Sequence, residues 1–274
     1  MRLLQKLPKF QRSLMTKGLI KEIIDNHKSC VFVSPHFDDA LLSAGALIAQ
    51  LSKHVSITVI NVFTKASKPP HTLSAKAFLK QCQYKDAQKL FKDREIEDTF
   101  ALQGIVQDVV NLGFTDALWR KKQNQNNVLT RLAKYIPEII HTYPTYRYHI
   151  IKGVVSKHDL HIKETIKQQL NFFAKNSVVF CPLAIGNHVD HVLVRSACEE
   201  LFNPLVYWSD FPYNTKMETY LPYKMRSFSI SENLNKKEKL VKQYKTQYDA
   251  LFKNGKMPLL KEVFYIKFKM KRYV

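Results

Sequence analysis

The chain has 274 residues, of which 45% are hydrophobic, so it can bury one large core, but its apolar runs are too short for a membrane-spanning helix. The formal net charge of +20 attracts anions at long range without distinguishing a phosphate-bearing substrate, an anionic membrane or a nucleic acid. The four cysteines lack C-x-x-C spacing, which is typical of reduced, buried thiols, so we expect a soluble cytoplasmic protein.

The N-terminal segment is basic, because residues 1–21 contain six Lys or Arg and no acidic residue. The segment has neither a continuous apolar stretch nor a small-residue cleavage site, which argues against a secretory signal. A transit peptide and a membrane-seeking amphipathic helix remain alternatives. We expect an ordinary basic helix over residues 1–27, packed on a single domain that spans residues 1–274.

The next elements form a β-α-β unit. The apolar run 30–34 predicts a buried strand that ends at Pro35, and the apolar spacing of 39–51 predicts a helix capped by Asp38 or Asp39. A second apolar run over 54–63 predicts the parallel partner strand. Later helices are predicted over 74–103 with one break, 126–141, 163–175, 192–202 and 232–251, and later strands over 108–112, 177–182, 204–209, 226–230 and 262–268. We therefore expect an α/β fold, with one Rossmann-like, mostly parallel sheet flanked by helices.

Two His- and Asp-rich motifs each follow a predicted strand directly: Pro35-His36-Phe37-Asp38-Asp39 and Asn187-His188-Val189-Asp190-His191. Taken singly, the first could be a helix cap and the second a surface turn. Ligands of open α/β sheets bind outside the carboxyl ends of the strands, so these matching positions predict one shared site. The segment 158–161 repeats the second spacing without an equally clear strand before it, and we expect it to begin a helix.

The residue types in the two motifs suit metal-dependent hydrolysis. His36, Asp39 and His191 offer two imidazole nitrogens and one carboxylate, a set typical of catalytic zinc with an open position for water. The same ligands can hold Fe²⁺. The neighbouring side chains suggest three further roles. Asp38 could act as the general base and His188 as the imidazole that stabilises the oxyanion. Asp190 could orient one of the imidazoles.

These motifs resemble the PHxDD and HxDH signatures of the LmbE-like, or PIG-L, family of metal-dependent de-N-acetylases, whose members act on N-acetylglucosaminyl compounds. Segments 94–98, 112–116 and 244–247 resemble the family's Arg-x-x-Glu helix, LGFxD turn and Tyr-x-Ser-Gln helix. The resemblance implies the same ligands, base and transition-state histidine. Phe37 and Ala40 depart from the common PHPDDE form at positions that are not ligands, and they could alter the loop and the choice of substrate.

Substrate contacts are expected at four further positions. The resemblance implies that Arg94 and Asp116 contact the sugar or its aglycone; a structural ion pair of Arg94 with Glu97 or Asp98 is the alternative. After the strand predicted over 204–209, the segment 208–213 offers aromatic faces and one carboxylate. Its residues, Trp208 and Asp210 among them, could stack on and bind a sugar ring, or they could form a packed edge of the core.

The predicted function is that of a zinc-dependent hydrolase that removes the N-acetyl group from an N-acetylglucosaminyl or related amino-sugar conjugate. The net positive charge leaves open an anionic conjugate. One alternative is a non-catalytic relative that binds a polyanion, such as a nucleic acid, through its basic surface. Another is the same enzyme held at an anionic membrane by its basic N-terminus.

Overall fold

A seven-stranded sheet organises the described part of the protein. The computed structural model describes residues 18–123, 126–173, 177–217, 219, 221, 225–252 and 254–267. The strands are β1 (Cys30–Ser34), β2 (Ile57–Lys65), β3 (Asp108–Thr115), β4 (Val178–Pro182), β5 (Leu205–Trp208), β6 (Arg226–Ile230) and β7 (Glu262–Lys267). They lie in the order β3-β2-β1-β4-β5-β7-β6; the first five pair in parallel, and β7 is antiparallel to both β5 and β6. The expected single α/β domain with a mostly parallel sheet is confirmed.

Helices cover both faces of the sheet. They are α1 (Leu19–Asp25), α2 (Asp39–Leu51), α3 (Leu73–Gln81), α4 (Ala87–Leu102), α5 (Asn127–Leu132), α6 (Leu160–Leu170), α7 (Val189–Leu201), α8 (Leu234–Val241) and α9 (Lys245–Leu251). Short 3-10 helices occupy Ala117–Trp119, Pro137–Ile140, Ile150–Lys152, Lys157–Asp159 and Tyr213–Thr215. Among the described residues, none of the helices has the length and apolar character needed to cross a bilayer.

Several predicted bounds differ from the structure for local reasons. The helix expected over 126–141 ends at Leu132, and a separate 3-10 helix begins at Pro137, which lacks the N–H needed to continue a helix. The helix expected from 192 begins at Val189, because His188 serves as its N-cap. The helix expected over 232–251 is divided into α8 and α9. Helix α1 covers the later part of the helix expected over residues 1–27. The rest of that prediction, the basic segment 1–17, lies outside the described residues.

The core consists of two layers, because alternate residues of each strand point to opposite faces. Phe32 and Phe180 stack on each other, with ring centroids 4.4 Å apart, and share one layer with Leu41 of α2. Val33 and Cys181 belong to the other layer, against α6 and α7. All four cysteines are buried and free, as predicted.

Helix α2, which starts next to the site, is interrupted once, and a buried carboxylate stabilises the interruption. Ala44 has φ −135° and ψ 15°, so the helix is interrupted there. The carboxylate of Glu262 accepts the N–H groups of Ala46 (2.9 Å) and Leu47 (3.0 Å), and it also pairs with Lys237 at 3.0 Å. Buried backbone N–H groups need partners, so this carboxylate stabilises the start of the second helical segment.

Candidate active site

The loop after β1 is held in a tight turn by the last residue of the strand. The Ser34 hydroxyl donates to the carbonyl of His36 (2.6 Å) and accepts the N–H of Ala40 (3.0 Å). The carboxylate of Asp39 accepts the backbone N–H of His36 at 2.9 Å. These short-range bonds place His36, Asp38 and Asp39 at the carboxyl edge of the sheet, where the end of β4 and the start of α7 also lie.

Three side chains from the two motifs converge at this edge. Potential ligand atoms of His36, Asp39 and His191 all lie within 4.8 Å of one another. Asp39 Oδ2 is 3.0 Å from His36 Nδ1 and 3.3 Å from His191 Nε2. A second group, His36, His188 and Asp190, meets the same distance limit and shares His36 with the first. The structure therefore brings together the three residues that the sequence predicts as ligands.

In both His36 and His191, the ring nitrogen that does not face Asp39 faces another carboxylate. His36 Nε2 lies 3.3 Å from Asp190 Oδ2, and His191 Nδ1 donates to Asp210 Oδ1 at 2.8 Å. Such bonds fix which ring nitrogen is left with its lone pair for a metal. Asp190 thus occupies the position that an orienting carboxylate requires. Asp210 has the equivalent position for His191, which differs from the sugar contact expected for it.

The charge balance of the site suits a divalent cation. Buried carboxylates outnumber the guanidiniums beside them: Asp38, Asp39, Asp116, Asp190 and Asp210 against Arg94 and Arg120. Burial lowers the pKa of His36, but hydrogen bonds to Asp190 and Asp39 outweigh that effect and hold it well above its usual value. Burial likewise opposes a charge on His191, yet Asp39 and Asp210 raise its pKa to about 9. The surroundings therefore favour positive charge at this point, which a bound divalent ion supplies.

Asp38 is the carboxylate of the first motif that is not among the three candidate metal ligands. It lies at the N-cap of α2, but its side chain makes no capping hydrogen bond, so the capping role considered for it is wrong. Its Oδ1 is 3.4 Å from Arg94 Nη2, and both residues line the cavity described below. Burial raises the pKa of Asp38, although the charge of Arg94 opposes the rise.

Arg94 faces the site and not the two acids considered as its alternative partners. Glu97 instead accepts the N–H and hydroxyl of Thr246 at 3.0 and 2.6 Å, and Asp98 accepts the hydroxyl of Tyr244 at 2.7 Å. Two aromatic rings flank the guanidinium, with centroids 5.9 Å (Phe37) and 5.3 Å (Phe91) from its central carbon. The phenylalanine that departs from the PHPDD pattern therefore packs against this arginine.

His188 presents one nitrogen to the cavity in a defined tautomer. Its Nδ1 accepts the backbone N–H of Asp190 at 3.3 Å, which leaves the proton on Nε2. Burial and the neighbouring His36 hold the pKa of His188 well below its usual value. The ring is thus a neutral hydrogen-bond donor.

A cavity of about 560 Å³ opens over these groups. Its inner end is formed by His36, Asp38, Asp39, Arg94, Asp116 and His188. Its outer walls are mainly apolar and come from α3 and α9, with Ala77, Phe78, Ala250 and Leu251. Lys216 lies at this cavity as well. The site thus combines a polar, acidic floor with apolar walls, as small-molecule pockets commonly do.

The remaining predicted substrate contacts divide between the cavity and the core. Asp116 lines the cavity, 3.5 Å from His36 Nε2, and its other oxygen accepts the N–H of Leu118 at 2.8 Å. Trp208 is fully buried and stacks on Phe32, with centroids 6.4 Å apart, so it has no face open to a sugar. Asp210 is also buried, and its second oxygen accepts the N–H of Ile185 at 2.9 Å. The sugar-contact prediction is corrected for both residues: Trp208 belongs to the packed edge of the core, and Asp210 is enclosed beside it, where it faces His191.

The structure adds residues that the sequence did not single out. Arg120 pairs with both Asp190 and Asp159, so the 158–161 segment supports the site from behind and begins α6, as expected. Tyr146 and Tyr213 also line the cavity, and the centroid of the Tyr213 ring is 5.8 Å from that of His191. Tyr213 lies in the segment 208–213, for which the sequence suggested stacking on a sugar. No local motif marks Arg120 or Tyr146, because they approach the site only through the long loop after β3.

Several known proteins that resemble this chain are named as deacetylases. The family model PIG-L, described as GlcNAc-PI de-N-acetylase, matches residues 31–202. Over 252 aligned residues the chain is 27% identical to a 2'-N-acetylparomamine deacetylase of Niallia circulans, and the alignment covers 82% of each protein. A deacetylase–bog complex from the teicoplanin biosynthesis pathway shares the fold at a TM-score of 0.65 and 22% identity, covering 87% of this chain and 97% of that one. The zinc-inhibited form of teicoplanin deacetylase Orf2 gives 0.63 and 22%, with the same coverage.

Proposed function

This chain belongs to the PIG-L family, and on that premise we propose that it is a zinc-dependent hydrolase that removes the acetyl group from an N-acetylglucosaminyl or related amino-sugar conjugate. The observation that carries the proposal is the convergence of His36, Asp39 and His191 beside Asp38, a cavity-lining carboxylate with no capping role. The Niallia circulans relative, named as a 2'-N-acetylparomamine deacetylase, supports the substrate class.

The metal would be held by the two imidazoles and the carboxylate of Asp39. A divalent ion bound there would polarise the acetyl carbonyl and lower the pKa of a water molecule. Asp190 and Asp210 orient the two rings from the far side, so that each ring directs one nitrogen toward Asp39. We propose zinc, with Fe²⁺ as the alternative, because both accept this ligand set.

Asp38 would act as the general base. Its carboxylate lines the cavity, and burial raises its pKa toward the range in which a carboxylate takes up a proton effectively. Arg94 limits that rise and fixes the orientation of the carboxylate. Asp38 takes the proton from the attacking water as the new C–O bond forms, and it returns a proton to the nitrogen as the C–N bond breaks. The products are acetate and the free amine.

His188 would stabilise the oxygen of the acetyl group as negative charge develops on it. Because Nδ1 accepts the backbone N–H of Asp190, the ring carries its proton on Nε2, and the residue lines the same cavity. A preorganised neutral donor contributes without having to reorient during the reaction. Asp190 would therefore act on both imidazoles, since its N–H holds His188 and its carboxylate faces His36.

The shape of the cavity suggests how a conjugate would lie in it. The N-acetylated sugar would occupy the acidic inner end, where Asp38, Arg94 and Asp116 offer hydrogen-bonding groups. The aglycone would then contact the apolar walls from α3 and α9. Lys216 would suit an anionic group on that part of the substrate.

The test combines metal analysis with a substrate panel. The purified protein is stripped with chelator, reconstituted with zinc or Fe²⁺, and assayed for free-amine release from N-acetylglucosaminides with different aglycones. Zinc is titrated from below stoichiometric to excess, because one structural neighbour is described as zinc-inhibited. We expect stoichiometric metal and metal-dependent amine release. Failure to bind metal at His36, Asp39 and His191 would instead favour the non-catalytic, polyanion-binding alternative, which predicts strongly salt-dependent binding.

A further inference from the structure

Beside the mouth of the cavity lies a surface that exposes apolar side chains. Helix α5 buries none of its residues, and Tyr135 and Ile136 just after it are 86% and 56% exposed. Leu73, at the start of α3, is 75% exposed. We call this surface the rim patch and define it by its most exposed apolar members: Leu73, Val128, Leu132, Tyr135, Ile136 and Tyr148.

The rim patch is continuous with the cavity. The backbone N–H of Leu73 donates to Glu138 Oε1 at 2.8 Å, which joins the start of α3 to the segment after Ile136. The N–H of Tyr146 donates to Ser74 Oγ at 3.2 Å, and both Tyr146 and Ser74 line the cavity. A partner on the rim patch would therefore lie next to the entrance of the candidate active site.

The same part of the chain is strongly basic. Residues 117–157 contain eight Lys or Arg and a single acidic residue, Glu138, which is bonded to Leu73. One of the eight, Arg120, is buried and paired with Asp190 and Asp159, which leaves seven basic residues. Arg131, Lys134 and Arg147 are exposed among the apolar members of the rim patch. Lysine and arginine mixed with exposed leucine, isoleucine and tyrosine are typical of surfaces that sit in the interfacial region of an anionic bilayer.

Other partners fit these features less well. In a symmetric dimer the rim patch would face its own copy, so its cations would repel each other. The phosphates of a nucleic acid would pair with the cations, and its bases could stack on tyrosine, but exposed Leu132 and Ile136 offer it neither a charge nor an aromatic ring. The basic and apolar side chains of the rim patch complement the charge and the apolar interior of an anionic lipid bilayer. We propose that the rim patch docks on such a bilayer. The docking does not require the proposed function; only its consequence, access to membrane-associated amphiphilic conjugates, rests on that function.

Co-sedimentation of the full-length protein with vesicles at physiological ionic strength tests the docking. Vesicles of phosphatidylglycerol and phosphatidylcholine are compared with phosphatidylcholine alone. A basic residue near an anionic surface contributes ~1 kcal/mol, so Arg131→Gln with Lys134→Gln should weaken binding about thirtyfold. Tyr135→Ser with Ile136→Ser should weaken it about tenfold or more. All four side chains are exposed, so the unfolding midpoint should not change.

Matched control pairs separate the rim patch from the overall charge. Lys89→Gln with Lys92→Gln removes two exposed lysines three residues apart on α4. Phe100→Ser with Phe172→Ser removes two aromatic side chains that are 65% and 82% exposed elsewhere. Both control pairs should bind like the unmodified protein. Equal losses in rim and control pairs, or equal binding to both kinds of vesicle, would overturn the proposal.

Three further results would also overturn it. These are binding that disappears only when residues 1–17 are deleted, tighter binding of a duplex oligonucleotide through the same residues, and a dimer that the Tyr135/Ile136 variant dissociates. The Asp38→Asn variant should bind vesicles normally. Vesicle binding without any deacetylation would contradict the proposed function alone, and deacetylation without vesicle binding would contradict the rim patch alone.

Discussion

Replacement of Asp210 by asparagine tests how the metal site is held from behind. One oxygen of Asp210 accepts the Nδ1–H of His191 at 2.8 Å, and the other accepts the N–H of Ile185 at 2.9 Å. Asparagine has the same shape but only one acceptor oxygen, so its NH₂ group must face one of these two donors. If it faces His191, the imidazole has to accept at Nδ1 and carry its proton on Nε2, the atom directed at Asp39.

The expected magnitude follows from this change of tautomer. A carboxylate that orients a metal-binding histidine typically contributes 10- to 100-fold to metal affinity. That factor corresponds to about 1.4–2.8 kcal/mol. The alternative orientation of the amide leaves Ile185 N–H without an acceptor, which costs about 1–3 kcal/mol of folding stability. Asp210→Asn should therefore weaken metal binding, or destabilise the protein, by similar amounts.

Competition with a metal-binding dye measures the affinity, and thermal unfolding of the metal-free protein measures the stability. Asp249→Asn, which removes an exposed carboxylate from α9, is the matched control and should change neither. An Asp210→Asn variant with unchanged metal affinity and unchanged unfolding midpoint would refute the orienting role. Loss of substrate affinity with normal metal binding would restore the sugar-contact role that the sequence suggested for this residue.

Four other outcomes are expected. Asp38→Asn should retain stoichiometric metal and lose turnover by about 10²- to 10⁴-fold, measured as free-amine release; near-normal turnover would exclude it as the base. His188→Asn can still cap α7 but loses the donor in the cavity, so kcat should fall about 10²- to 10³-fold while metal content and unfolding midpoint hold. Gly186→Ala should destabilise the fold by about 1–3 kcal/mol in chemical unfolding, because φ is +91° and the new Cβ would lie 2.6 Å from Tyr213. Burial raises the pKa of Asp98 to about 7, so its contribution to unfolding free energy is present at low pH and is lost as pH rises from about 4 to about 7. Asp98→Asn should remove that slope, and an unchanged pH profile would count against it.

The regular elements nearest the site were predictable from local pattern. The bounds of β1 and α2 agree with the prediction, because the apolar run stops at Pro35 and the helical spacing then begins at once. Prediction failed at the ends of elements where a side chain decides the boundary. Helix α7 begins three residues before the predicted start, because His188 caps it and its ring replaces the usual Ser, Thr or Asp at that position.

Packing decided the residues for which the sequence left two interpretations. Trp208 and Asp210 follow a strand in a segment with aromatic and acidic side chains, which is also what a sugar site offers. The parallel pairing of β5 with β4 turns Trp208 into the core, where it stacks on Phe32. For Arg94 the sequence allowed either an ion pair within its own helix or a contact in the site. The two acids of that ion pair, Glu97 and Asp98, instead accept hydrogen bonds from Thr246 and Tyr244.

The sequence by itself determined the β-α-β order, the two His- and Asp-rich motifs and their positions after strands, because these follow from short-range periodicity and from the residue types present. Tertiary structure alone decided which carboxylates orient His36 and His191, which residues wall the cavity, and that a basic, apolar surface adjoins its mouth. Those facts depend on contacts between residues far apart in the chain, such as Arg120 with Asp190 and Ser74 with Tyr146, whose distances no local pattern encodes.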